Sequence, residues 1–229
     1  GEGNINFKWA SNKLMADDKV LYKGHPVAAV AAADRYAAEE AARKVVVEYE
    51  VLPSVTNVVD ALAEDAPILL DDLVGDDLGK DVNNTNMAAH ERHEFGDVEG
   101  AMKTAAHTIE REYNMQMVHQ GYIEPHNATA TWDEENRVKV WTSTQGAFTA
   151  RTQIAGILQI PISSVKVTPL EIGGGFGGKI PVYFEPLAAL LSKKSGRPVK
   201  MVMERTAVFE TTGPTPVSYT HLTLPTNRE

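Results

Sequence analysis

Thr168-Pro169-Leu170-Glu171-Ile172-Gly173-Gly174-Gly175-Phe176-Gly177-Gly178-Lys179 places five glycines among six consecutive residues. Glycine buries no side chain and loses the most backbone entropy on ordering, so such a cluster contributes nothing to a core. It does allow positive φ and close approach of backbone N–H groups to a bound group, which suits an anionic or oxo-rich ligand. A plain flexible linker is the alternative. The flanks oppose it: an alternating run, Val165-Lys166-Val167, precedes the cluster, and a helix-forming run, Pro186 to Ser195, follows it.

Two phosphate-binding patterns overlap these residues. Gly173, Gly175 and Gly178 satisfy the dinucleotide spacing G-x-G-x-x-G, with an apolar strand at Val199 to Met203 and Glu204 where a ribose-binding acid would stand. That reading needs a helix to open directly from the loop, and Lys179-Ile180-Pro181 delays it. Gly173 to Lys179 also fits G-x-x-x-x-G-K, but Ile180 replaces the Ser or Thr that would hold magnesium, so a triphosphate site fails at one essential atom.

Outward from the loop, residues 147–158 read as an amphipathic helix with Phe148, Ile154, Ile157 and Leu158 on its apolar face. Asn127 to Trp132 and Val138 to Ser143 read as strands joined by a polar hairpin connection, and Pro181 to Ser195 as a helix stopped by Gly196-Arg197-Pro198. Nearer the start, Val27 to Ala33 is predicted as a buried strand. Asp34 is predicted to cap a helix over Arg35 to Lys44, and Val45 to Val51 to form a second strand. Ala66 to Met87 reads as an acidic connection without apolar period. Asp97 is expected to cap a short helix reaching Ala106, and His107 to Met117 to form a long half-exposed strand.

Several tempting motifs carry no chemistry. His25, before a proline in a turn, is given no role. His90-Glu91-Arg92-His93 sets its histidines three apart, which is not the helical H-E-x-x-H spacing of a zinc site. His119-Gln120-Gly121-Tyr122-Ile123-Glu124-Pro125-His126 gathers possible metal ligands, but in a turn-like segment without the spacing of a metal site.

Composition sets the remaining bounds. The 229 residues are 43% hydrophobic and 23% charged, with formal net charge −9 and no cysteine. No basic stripe for nucleic acid is present, since Lys193-Lys194 is the longest basic run. Without cysteine the chain holds no disulfide, no thiolate metal site and no cysteine-ligated iron–sulfur cluster. No apolar run approaches a membrane span. The chain opens at Gly1 without methionine and is read as a fragment, with a cytoplasmic location as the default expectation.

The run Gly173 to Lys179, together with Ser143-Thr144-Gln145 and Arg151 to Pro161, resembles the molybdenum-binding large subunit of the xanthine dehydrogenase, aldehyde oxidase and carbon monoxide dehydrogenase superfamily. Gly24 to Ala32 and Ala37 to Pro53 resemble the hammerhead domain that precedes the molybdenum domain there. The resemblance covers Lys19 to Pro216. It implies an α+β chain: an N-terminally truncated hammerhead domain over 1–66, a linker over 67–84, and a C-terminally truncated molybdopterin-binding domain over 85–216. Residues 217–229 are read as a non-native tail.

The resemblance further implies a molybdenum hydroxylase that adds oxygen from water to an aldehyde, an N-heterocycle or a related carbon centre. Its cofactor would be molybdenum–molybdopterin, with the dinucleotide form left open. Gln145 would hydrogen-bond an oxygen ligand of molybdenum, Phe176 and Gly177 would line the metal's oxo side, the backbone around Gly175 would cradle the pterin, and Glu124 would be a buried acceptor that fixes the loop. Ile180 stands in the substrate pocket where purine-oxidising relatives carry glutamate. No residue here ligates metal or matches the family's general base, so the fragment by itself is expected to be inactive. Iron–sulfur clusters and FAD would sit on a small and a medium partner subunit. A dinucleotide-binding dehydrogenase and a non-catalytic scaffold are the competing readings.

Overall fold

The computed structural model describes residues 7–213 and 215–216; the tail reading over 217–229 lies outside them. In chain order, α1 is Phe7–Leu14 and α2 is Arg35–Arg43. They are followed by α3 (Val58–Ala61), β1 (Gly75–Asp77), β2 (Lys80–Val82), β3 (Ala89–His90) and α4 (Val98–Thr104). Next come β4 (Met117–Val118), β5 (Asn127–Trp132), β6 (Val138–Thr142), α5 (Ala147–Leu158) and β7 (Val165–Pro169). The last elements are α6 (Glu185–Ser195), β8 (Val199–Val202), α7 (Arg205–Thr211) and β9 (Thr215–Pro216). The mixture is α+β, as expected, and divides into two compact units: Val47–Tyr113, and the segments on either side of it.

In the larger unit a four-stranded sheet runs in the order β7-β6-β5-β8. β5 is antiparallel to β6 and β8, while β6 and β7 are parallel across the helix α5. Alternation along β6 buries Val138, Val140 and Thr142 on one face, and α5 and α6 cover that face. Their contact residues are small, Ala150, Ala155, Ala188 and Ala189, so the helices seat closely around Ile154, Val138 and Val140. Phe148, expected on the apolar face of α5, is instead 83% exposed. The helix turns Ala150, Ile154 and Ala155 inward, a stripe set by alanines that the reading for large apolar side chains overlooked.

In α2, Asp34 Oδ1 accepts the Ala37 N–H at 2.9 Å, the anticipated N-cap. The strands expected at Val27 to Ala33 and Val45 to Val51 do not form, and of His107 to Met117 only Met117 joins a ladder. An apolar run becomes a strand only beside a hydrogen-bonding neighbour. No such partner accompanies these runs among the described residues, and Val46 and Val51 are left outward, 87% and 93% exposed.

The smaller unit holds a sheet in the order β2-β1-β3, with β1 and β2 inside the stretch read as an acidic connection and β3 just beyond it. Asp76 Oδ1 accepts the Gly79 N–H in the turn between β1 and β2, and Asn86 ties Leu69 N, Ala61 O and Pro67 O together. Polar turn chemistry, not apolar period, organises this segment. Asp97 caps α4 through Gly100 N at 2.8 Å, as expected.

Candidate cofactor-binding loop

The glycine loop leaves the sheet at the end of β7 and does not open a helix. Five residues, Ile180 to Phe184, separate Lys179 from the start of α6 at Glu185. β7 and β8, the strands on either side of α6, also lie at opposite edges of the sheet. The βαβ unit that a dinucleotide fingerprint requires is therefore missing at this loop.

Gln145 stands just past β6 and grips the loop. Its side-chain oxygen Oε1 accepts the N–H groups of Gly177 (3.0 Å) and Lys179 (3.1 Å), and its own N–H donates to Lys179 O at 2.9 Å. Two backbone donors at one end of the amide fix which end is oxygen, so the NH2 end faces away from the loop backbone. It has no protein partner among the described residues. A Cβ at Gly175 would come within 2.4 Å of Gln145 Oε1, so only glycine permits this contact.

Phe176 has φ of 49°, unusual for a residue with a side chain, and is 74% exposed. The loop thus presents the aromatic ring outward on a backbone fold that most side chains avoid. Gly178 N closes the turn on Gly175 O at 2.8 Å. With the N–H groups of Gly173, Gly177, Gly178 and Lys179 satisfied internally, those of Gly174, Gly175 and Phe176 lack protein partners among the described residues. The backbone available to a ligand is narrower than the glycine count implied.

Glu124 holds the other side of the loop. Its Oε2 accepts Gly173 N (2.7 Å), Ser143 Oγ (2.8 Å) and Lys179 Nζ (2.7 Å), and Oε1 accepts Asn127 Nδ2 at 3.0 Å. Both ends of the glycine run therefore converge on one carboxylate. The side chain is 27% exposed rather than fully buried, whereas that of Lys179 is 0% exposed. Partial burial alone pushes the Glu124 carboxyl up. The Lys179 ammonium, Gly173 N–H, Ser143 hydroxyl and Asn127 amide together outweigh it and hold the pKa down at about 2. Lys179 also lies 5.0 Å from the centre of the Tyr122 ring.

Tyr122 and His126 fill the space next to this pair. Tyr122 OH lies 2.7 Å from His126 Nε2 and 2.8 Å from Thr212 Oγ1, and His119 Nε2 lies 2.9 Å from the same threonine oxygen. Burial first, then the charges of Lys179 and His119, lower the His126 pKa to about 4 against a smaller opposing pull from Glu124. His126 is thus neutral at physiological pH. His25 is structural: Nδ1 accepts Leu21 N at 3.1 Å, and Nε2 lies 2.6 Å from Asn12 O.

Of the residues read from sequence, Gly175, Phe176 and Gly177 lie in the glycine loop, Gln145 bonds to that loop from the end of β6, and Ile180 follows the loop, 46% exposed. The roles of Lys179, Ser143, Asn127 and Tyr122 were not anticipated. Lys179 stood out only as a near match to a P-loop lysine. Its use is different, because a lysine with no exposed side-chain surface beside a carboxylate is a structural ion pair.

The family described as "Molybdopterin cofactor-binding domain" matches residues 80–229, and "Aldehyde oxidase and xanthine dehydrogenase, a/b hammerhead domain" matches residues 2–53. The nicotinate dehydrogenase large molybdopterin subunit of Eubacterium barkeri is 33% identical over 83% of this chain and 42% of its own length. The carbon monoxide dehydrogenase large chain of Hydrogenophaga pseudoflava is 33% identical over 87% of this chain and 25% of its own. A crystal structure of a Cu,Mo-CO dehydrogenase in its carbon monoxide reduced state superposes with a TM-score of 0.75 at 31% identity, covering 89% of this chain and 26% of that one. The chain thus spans less than half the length of these relatives. Matched along most of its length, and with its glycine loop and hammerhead segment both accounted for, the chain belongs to the molybdopterin cofactor-binding domain family of the xanthine dehydrogenase and aldehyde oxidase superfamily.

Proposed function

We propose that this chain forms part of the cofactor pocket of a molybdenum hydroxylase large subunit. The domain division proposed is hammerhead over 1–66, linker over 67–84 and cofactor-binding domain over 85–216. The observation that carries the reading is the orientation of Gln145. Its oxygen is committed to the loop, which leaves an amide NH2 to donate to an oxygen-rich group, and the N–H groups of Gly174 to Phe176 offer further donors beside it.

When bound, the molybdenum–molybdopterin group supplies the two-electron oxidation that places oxygen from water on a carbon centre. The chain's own residues bind and orient. Gln145 would donate to a cofactor oxygen, the Gly175 backbone would help to hold the pterin, and Phe176 and Gly177 would line the pocket beside it. Iron–sulfur clusters and FAD on partner subunits would take up the electrons, since this sequence has no cysteine to ligate a cluster of its own. The reading is tested on the complete large subunit purified with its partners. Stoichiometric molybdenum is expected in the wild type and a severalfold loss of it in Gln145→Ala. Molybdenum-free wild type, or equal molybdenum in the variant, would refute it. Tight NADH binding by the large subunit would instead favour the dehydrogenase alternative.

Ile180 is proposed to face the substrate. A branched apolar side chain offers no hydrogen bond to a polar heterocycle, and leaving a buried polar group unpaired disfavours that substrate. The complete enzyme is expected to turn over an aromatic aldehyde with higher kcat/KM than hypoxanthine, and Ile180→Glu to shift the ratio toward the purine by roughly tenfold or more. A wild-type preference for hypoxanthine would overturn the assignment.

A further inference from the structure

Glu185 is the second carboxyl tied to the ends of β5 and β6, and its surroundings are the reverse of those of Glu124. It opens α6, is 4% exposed, and bonds to no lysine, arginine or histidine among the described residues. The N–H groups of Phe184 and of Glu185 itself lie near its carboxyl, and two hydrogen bonds define its geometry. Oε2 accepts Tyr183 N–H at 2.8 Å, and Oε1 lies 2.9 Å from Thr142 Oγ1. That hydroxyl oxygen also lies 2.9 Å from the backbone carbonyl oxygen of Asn127.

A threonine hydroxyl carries one proton, and a backbone carbonyl carries none. If Glu185 were ionised, three oxygens would share a single proton across two 2.9 Å contacts, and one contact would set lone pairs against each other in a buried site. A proton on Glu185 Oε1 removes the conflict. Oε1–H donates to Thr142 Oγ1, Thr142 donates to Asn127 O, and Oε2 remains free to accept Tyr183 N–H.

We propose that Glu185 is held as the neutral acid, a positioning residue that donates into Thr142 and so fixes the strand end from which Gln145 reaches the glycine loop. Thr142 closes β6 and Asn127 opens β5, and the Asn127 side chain is also a donor to Glu124. The proton on Glu185 therefore lies at one end of a bonded series running Glu185, Thr142, Asn127, Glu124 and Lys179 to the loop. Nothing in that series involves a cofactor. Burial raises the Glu185 pKa against the opposing N–H groups of Tyr183, Glu185 and Phe184 and the Thr142 hydroxyl, in agreement with the proton count. The titratable neighbour packed on it is Tyr183, whose phenol is itself raised, by burial first.

The test uses the chain and two variants, Glu185→Gln and Glu185→Leu. Infrared difference spectra between wild type and Glu185→Gln at neutral pH should show the carbonyl stretch of a protonated carboxylic acid in the wild type alone. The unfolded carboxyl loses its proton near 4.5 while the folded one keeps it, so the contribution of Glu185 to stability falls as pH rises above that value. Glu185→Gln keeps a donor at Oε1 and an acceptor at Oε2 without titrating. Its Tm should therefore match wild type at acid pH and exceed it increasingly as pH rises. Glu185→Leu should speed amide exchange at Gly177 and Lys179 by about tenfold or more, with Gln restoring the wild-type rates. An absent acid band, or a Gln variant whose Tm falls below wild type as pH rises, would overturn the proposal. If the Leu variant does not fold, the spectrum and the Gln pH profile decide alone.

Discussion

Replacing Glu124 with alanine should destabilise the chain by about 3–5 kcal/mol, because it strands the buried Lys179 ammonium without its partner. For a chain of this size that corresponds to a fall in Tm of roughly 6–20 °C. Lys179 has 0% side-chain exposure and lies 2.7 Å from Glu124 Oε2, so removing the carboxylate takes away the ion-pair partner of a buried ammonium. Gly173 N–H and Ser143 Oγ lose their acceptor in the same change. The double variant Glu124→Ala/Lys179→Met removes both charges and should recover a large part of the loss. A double variant no more stable than Glu124→Ala would place the effect in the hydrogen bonds and not in the charge.

The same carboxylate predicts a pH window. Its folded pKa of about 2 lies below the ordinary 4.5, so the folded state binds this proton less readily than the unfolded one. The contribution of Glu124 is complete above about 4.5 and disappears as pH falls through about 2. The stability gap between wild type and Glu124→Ala, followed by thermal melts down the pH scale, should narrow across that interval. A constant gap would mean that Glu124 does not titrate there.

Local signals were legible in this sequence where a segment's partner is close in the chain. β5 and β6 form a hairpin, and α5 spans the residues its period indicates, because capping, turn and alternation act over a few positions. The runs at Val27 to Ala33 and Val45 to Val51 looked equally strand-like, but pairing is a property of the neighbour and not of the run. The sheet of β1, β2 and β3 went unread for the opposite reason: its strands are two or three residues long and held by turns.

At the loop, glycine spacing alone matched two phosphate-binding patterns, and the resemblance supplied the third reading. The ion pair that organises the loop joins residues 55 positions apart, and no local pattern marks Lys179 as its member. Gln145 was read as a ligand-facing amide. The structure adds that its oxygen is already engaged, which is what gives the NH2 end a direction.

Gly173→Ala should be the most disruptive single-methyl change in the loop, at about 1–3 kcal/mol from overpacking. The added Cβ would lie 2.6 Å from Glu124 Cβ, an atom fixed to the backbone that cannot swing aside as a side-chain tip can. Relief requires the two backbones to separate. That separation breaks Glu124 N–H to Gly173 O (3.2 Å) and Gly173 N–H to Glu124 Oε2 (2.7 Å) and moves the carboxylate away from Lys179. Gly177→Ala provides the comparison. Its Cβ would meet nothing within 4 Å, and its strain comes only from φ of +88°. The two substitutions should separate on a double-mutant cycle with Glu124→Ala. Gly173→Ala should be strongly non-additive with it, since truncating Glu124 removes part of what the new methyl disturbs, whereas Gly177→Ala should be close to additive. Equal coupling for both would show that the loop responds to methyl groups in general and that the contact between Gly173 and Glu124 has no special place in holding it.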